Sequence, residues 1–201
     1  MSAPIEVIAG LGNPGAEYRE TRHNAGFWLL DELAHRAGAE FRSERRFQSE
    51  TARAELDGHP CHLLKPMTFM NRSGQAVAAL VRYYRIPVER ILVVHDEIDL
   101  PPGTARIKRG GGHGGHNGLR DIIEVFGGAT DFLRLRVGVG RPGSADEVVN
   151  YVLHPPSAAD RTLIDTAIGE AIEVLPLVLA GQPERAMNHL HRRRDETTKP
   201  Q

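Results

Sequence analysis

The sequence predicts a single α/β domain in which a twisted, mostly parallel but mixed sheet is flanked by helices. Three observations lead there. Short apolar runs suited to buried strands alternate with stretches whose apolar residues fall at helical spacing. Three of those strand or strand-to-loop junctions end in loops rich in Asn, His and Asp, and open α/β sheets bind ligands beyond the carboxyl ends of their strands. The chain has 201 residues, 40% hydrophobic and 25% charged, the size and balance of one globular domain.

Residues 5–9 form the first apolar run, followed by the tight turn Gly10-Leu11-Gly12-Asn13-Pro14-Gly15. Phe27, Leu30, Leu33 and Ala34 then mark a helix over 24–37, with Asn24 placed to cap its first turn and Gly38 to end it. Residues 41–56 are charged and ambiguous, and admit an antiparallel hairpin or edge. A strand at 61–64 runs into Lys65-Pro66-Met67-Thr68-Phe69-Met70-Asn71. Ala76, Val77, Leu80, Val81 and Tyr84 form a second helical stripe, closed by Pro87. Residues 91–94 are a continuous apolar strand ending at His95-Asp96-Glu97. After the Gly-rich stretch 110–118, Leu119, Ile122, Ile123 and Phe126 mark a helix, and Leu133, Leu135, Val137 and Val139 alternate as a half-buried strand. A long amphipathic helix follows from Leu163 to Leu175, with Pro176 breaking or kinking it and Pro183 starting a short last one. The domain is expected to cover 1–191, leaving 192–201 as a polar, flexible tail.

Composition excludes several classes. Twenty-five basic against 26 acidic residues give a net charge of -1. The lone Cys61 can form neither an internal disulfide nor a thiolate cluster, and suits a reducing compartment. No apolar run approaches membrane-spanning length and the first residues lack a signal-peptide pattern, so a cytoplasmic protein is expected.

The pattern Gly10-x-Gly12-x-x-Gly15 matches a dinucleotide fingerprint only superficially. That function needs a helix opening at once and an acid about twenty residues on, at a strand end. Here Pro14 and residues 18–23 intervene, and Asp31 and Glu32 lie inside the predicted helix; turn glycines are the plainer reading. Residues 110–118 lack the Gly-Lys-Ser/Thr end of a P-loop. His95, Asp96, His113 and His116 offer a donor set that zinc accepts, yet a His-x-x-His on glycines fixes no geometry. No metal and no cofactor are expected.

His23 with Asp96, surrounded by Asn13, Asn71 and Asn117, needs no metal. A histidine with a pKa near its ordinary value of about 6.5 can take a proton from water, and a carboxylate fixes its tautomer and stabilises the imidazolium. Carboxamides donate and accept at once, which suits a peptide-like group and a developing oxyanion. No Gly-x-Ser-x-Gly elbow is present and Cys61 lies on a presumed strand, so water is the expected nucleophile. Between residues 103 and 141 seven basic residues face three acidic ones, and Arg134 and Arg136 share the polar face of the alternating strand, where they can meet successive phosphates. The chemistry is hydrolysis at a carbonyl of something anionic.

Four blocks carry a family resemblance: Gly10-Leu11-Gly12-Asn13-Pro14-Gly15 with Tyr18 and Thr21-Arg22-His23-Asn24; Lys65-Pro66 with Thr68-Phe69-Met70-Asn71 and Ser73-Gly74; His95-Asp96-Glu97-Ile98-Asp99-Leu100-Pro101; and 110–118. In that order, from Ile5 to about Leu190, the chain resembles the bacterial-type peptidyl-tRNA hydrolases. Ile98, where leucine is common, and the variable stretch 158–182 are its departures. The resemblance implies that family's fold and hydrolysis, without metal or organic cofactor, of the ester joining a peptide to the 3′-ribose of tRNA. It implies His23 as proton acceptor, Asp96 as its orienting partner and Asn13 as reader of the peptide backbone. Tyr18, Phe69, Asn71 and Asn117 would position the peptidyl and 3′-terminal parts, with His116 supporting. Arg106, Lys108 and Arg136 would meet the tRNA body or its 5′-phosphate. The implied partner is peptidyl-tRNA, with no membrane or stable protein partner and a monomer as the working form. A metal-dependent hydrolase and a non-catalytic RNA-binding protein of the same fold are the rival readings.

Overall fold

Strands buried on both faces read as continuous apolar runs, and those runs form the middle of the sheet. The computed structural model describes residues 2–197, with side chains described for 2–190. The strands are β1 (Val7–Gly10), β2 (Arg42–Glu44), β3 (Ser49–Leu56), β4 (His59–Pro66), β5 (Ile91–Glu97), β6 (Ala105–Arg109) and β7 (Leu133–Gly138), in the order β2-β3-β4-β1-β5-β7-β6. The central strands β4, β1, β5 and β7 are mutually parallel, and β2, β3 and β6 complete the edges in antiparallel fashion.

The helices are α1 (Ala25–Ala37), α2 (Ser73–Tyr84), α3 (Asn117–Val125), α4 (Val148–Val152), α5 (Ala158–Leu179) and α6 (Pro183–Thr197). Alternate strand residues divide the core. Ile8, Leu63, Leu92 and Leu135 pack with α1, α5 and α6, whereas Val7, Ala9, Leu64 and Val93 pack with α2 and α3. No helix among the described residues is long and apolar enough to cross a membrane.

The ambiguous stretch resolves into β2, a 3-10 turn at Arg45–Phe47 and β3, which returns as β4 through Asp57 and Gly58, both at positive φ. An Asp-Gly pair is a strong hairpin signal, and it stands in the sequence at that point. Pro176 does not end α5, which runs on to Leu179. Interior proline costs about 3 kcal/mol, and the buried face that includes Leu175, Val178 and Leu179 offsets it. The strand expected to be half-buried is more covered than that: Arg134 on its polar face is buried by its hydrogen bonds to the loop after β6, while Arg136 stays half-buried. The boundary expected at Arg192 falls inside α6, and 198–201 lie outside the described residues.

Two glycines set the depth at which α1 meets the sheet. A Cβ on Gly26 would lie 2.4 Å from the Leu11 nitrogen and 2.5 Å from the Val94 oxygen, and one on Gly10 would lie 2.4 Å from the Gly26 oxygen. Neither glycine has positive φ. The reading of Gly10 as a turn residue is therefore replaced by one of close approach, which brings the start of α1 against the ends of β1 and β5.

Candidate active site

The 3-10 turn Arg22–Asn24 feeds α1, so the Gly10–Gly26 contact delivers His23 to the carboxyl end of β5. There the His23 Nδ1 lies 2.9 and 3.0 Å from the two Asp96 carboxylate oxygens. Across the carboxylate, the His116 Nε2 lies 2.8 Å from Asp96 Oδ1. The chemistry of the neighbours settles both tautomers. His116 Nδ1 accepts from the Gly118 and Leu119 amides, so its Nε2–H donates to Asp96. His23 donates from Nδ1 and keeps a lone pair on Nε2.

Burial works against a charge on His23, but the Asp96 charge and hydrogen bond outweigh it and raise the imidazole above 6.5. Burial likewise opposes ionisation of Asp96, yet His23 and His116 hold its carboxyl well below 3.8. The neighbouring His95 is different: burial, helped by His116, pushes it down to about 3. It is a neutral ring whose Nδ1–H donates to the Asp96 carbonyl at 2.7 Å, and whose buried Nε2 has no hydrogen-bond partner among the described residues.

These groups open on a cleft of about 510 Å³ lined by Asn13, His23, Phe69, Asn71, Asp96, His116 and Asn117 among others. Asn13 Oδ1 accepts from the Met70 amide at 2.7 Å, joining the loops after β1 and β4. This leaves the Asn13 NH2 as the donor available to a ligand. Asn117 opens α3 and its Oδ1 accepts from Arg120. Phe69 is 59% exposed at the cleft, an apolar surface with no core role. Tyr18 is not on the lining; its ring meets Phe69 edge-on at 6.4 Å.

The basic residues form a separate patch on the outer strands. Arg106 stands opposite Arg136, and Lys108 opposite Arg134, across β6 and β7. Arg106 and Lys108 are exposed, while Arg136 lies 3.7 Å from Glu97. Arg134 does not belong to a phosphate-facing pair. It is 3% exposed, and its guanidinium donates to the Gly111 and Gly112 carbonyls, bracing the loop that carries His116 and Asn117.

His95, Asp96, His113 and His116 do not form the metal cluster weighed from sequence. Among the described residues, His23, Asp96 and His116 are the group whose ligand atoms lie within 4.8 Å of one another, and these atoms already bond each other. His113 Nδ1 instead accepts from the Gly115 amide.

Sequence reasoning missed three contributors. Asn24, read as a helix cap, makes no cap bond; its amide pairs with the Asn13 backbone. Arg134 was missed as a brace, and no local pattern announces it. The third is α4, whose Val148, Val149 and Val152 form an apolar cleft wall together with Leu153 at its C-cap. Their helical spacing was the available signal.

Fold and site define an α/β protein with a carboxylate-paired histidine on an open, carboxamide-lined cleft. The family model for peptidyl-tRNA hydrolase matches residues 7–199. The peptidyl-tRNA hydrolase of Halorhodospira halophila is 57% identical over 93% of this chain and 96% of that protein. That of Alcanivorax borkumensis is 56% identical over 95% and 98%. The crystal structure of peptidyl-tRNA hydrolase from Acinetobacter baumannii superposes with a TM-score of 0.91 at 45% identity, covering 94% of this chain and 96% of that one. This chain belongs to the peptidyl-tRNA hydrolase family, hydrolases acting on the ester bond of peptidyl-tRNA. Relatives this close do not support the non-catalytic alternative.

Proposed function

We propose that this chain releases peptide from peptidyl-tRNA by general-base activation of water, with His23 as the base. The carrying observation is the buried pair of His23 Nδ1 and Asp96, which leaves Nε2 as a proton acceptor beside the cleft. His23 Nε2 takes a proton as the water oxygen bonds to the ester carbonyl carbon, and Asp96 stabilises the imidazolium. When the tetrahedral intermediate collapses, the carbon–oxygen bond to the ribose breaks and the imidazolium returns its proton to the leaving oxygen. The Asn13 NH2 holds the peptide group, and Asn71 and Asn117 supply carboxamides to the 3′-terminal part.

Burial pushes the Cys61 thiol up to about 12, which supports water rather than sulfur as the nucleophile. Arg106, Lys108 and Arg136 give the tRNA phosphates a basic edge beside the cleft. The reading takes the chain to be a single catalytic domain that works as a cytoplasmic monomer without metal. The test is hydrolysis of N-acetyl-aminoacyl-tRNA by protein treated exhaustively with EDTA, alongside free aminoacyl-tRNA. Full activity on the blocked substrate and little on the free one is expected; loss on chelation, or equal rates, would contradict the reading.

A further inference from the structure

A five-residue helix cannot hold itself in water, so the position of α4 must be set by what it is tied to. Its N-cap residue, Glu147, makes no side-chain capping hydrogen bond. The ties lie at its far end and lead to the residue next to the proposed base. Arg22, 8% exposed, sends Nη1 to the carbonyls of Tyr151, His154 and Pro155 at 3.1, 3.1 and 3.0 Å. Its guanidinium lies 3.9 Å from the centre of the Tyr151 ring, and its backbone amide donates to His154. The Tyr151 hydroxyl donates in turn to the Val139 carbonyl, just past β7.

A buried guanidinium spent on neutral carbonyls costs more desolvation than an exposed one, and no described carboxylate pairs with it among the ion pairs of the protein. The arrangement is favourable in one respect: a cation at a helix carboxyl end meets carbonyls that have no partner inside the helix. Val148, Val149, Val152 and Leu153 face the cleft from this helix, and Val149 is 65% exposed. An apolar wall held at a set distance from His23 fixes how wide an acyl side chain the cleft admits.

We infer that Arg22 is a specificity-determining positioning residue: by seating α4 it sets the fit of the cleft to apolar side chains on the acyl group. It acts through α4 and touches neither the water nor the ester. The inference rests on reading the cleft as the acyl site.

The experiment compares N-acetyl-phenylalanyl-tRNA with N-acetyl-glycyl-tRNA in the wild type, Arg22→Gln and Tyr151→Phe. For Arg22→Gln, kcat/KM on the phenylalanyl substrate is expected to fall about tenfold or more, mainly through KM, and on the glycyl substrate less than about threefold. The acid limb of the pH–rate profile should stay where it is, because His23 keeps Asp96. Tyr151→Phe should change selectivity in the same direction by a smaller factor, and carries the test alone if Arg22→Gln does not fold. Equal losses on the two substrates, a displaced acid limb, or an unchanged phenylalanyl-to-glycyl ratio in a folded variant would overturn the inference. A wild type that does not distinguish the two substrates would instead overturn the reading of the cleft.

Discussion

The side chain of Asn24 closes a two-bond clamp on the backbone of Asn13: its Oδ1 accepts from the Asn13 amide at 2.8 Å and its Nδ2 donates to the Asn13 carbonyl at 3.0 Å. Both residues are buried. The clamp ties the turn that carries His23 to the loop that carries Asn13, the proposed base to the proposed reader of the peptide group.

Asn24→Ala leaves a buried amide and carbonyl without partners, at about 1–3 kcal/mol for each group. Thermal unfolding should register that loss. Misplacing Asn13 relative to His23 is expected to lower kcat/KM by roughly tenfold to a hundredfold. Wild-type kinetics in the folded variant would show that Asn13 needs no such support.

Asp96→Asn tests the orientation of the base. The amide keeps one oxygen for the two imidazole N–H donors but replaces the other, which His23 Nδ1 also meets, with an NH2 that cannot accept, and it removes the charge that raises His23 above 6.5. Turnover is expected to fall by roughly 10²–10⁴. A base must be neutral to act, so the wild-type rate should rise with pH through a value above 6.5, and the residual activity of the variant through a lower one. An acid limb unmoved by the substitution would separate Asp96 from the base.

Acid stability is expected to follow His95. Its folded pKa of about 3 lies below the ordinary 6.5, so the unfolded chain binds more protons between those values and stability falls as pH drops through that window. From 6.5 to about pH 4 the loss should be about 3 kcal/mol, measured as urea unfolding free energies. His23, raised above 6.5, contributes stability fully present below 6.5 and lost as pH rises through its folded value. Asp96, depressed, contributes stability lost only as pH falls below 3.8. Neither mimics the His95 effect, and a His95→Gln variant should lose most of this dependence.

Arg134 and Arg136 stand two residues apart on β7 and should fail differently. Arg136→Ala is expected to weaken tRNA binding and flatten its salt dependence by about one phosphate contact. Arg134→Met removes the brace on the Gly111 and Gly112 carbonyls, and should lower kcat while leaving the salt slope intact. A reduced salt slope for Arg134→Met would return it to the tRNA-facing set.

The order of elements and the polar ends of β1, β4 and β5 were legible because apolar periodicity and turn residues are local signals. His23, Asp96 and the three asparagines, named from sequence by residue type, are brought onto one cleft by the converging loops. What could not be read was set by long-range contact. Arg134 looks like any exposed strand arginine until the glycine loop is seen beside it, and Asn24 looks like a cap until Asn13 is placed next to it. Pro176 reads as a helix breaker, and only the burial around it shows why α5 continues.

The most direct test is the hydrolysis of N-acetyl-aminoacyl-tRNA by His23→Ala beside the wild type, with EDTA present and tRNA binding measured on the same preparations. Turnover should fall by roughly 10³-fold or more while the Kd for tRNA stays within about threefold. A folded His23→Ala protein that keeps most of its turnover would contradict His23 as the base.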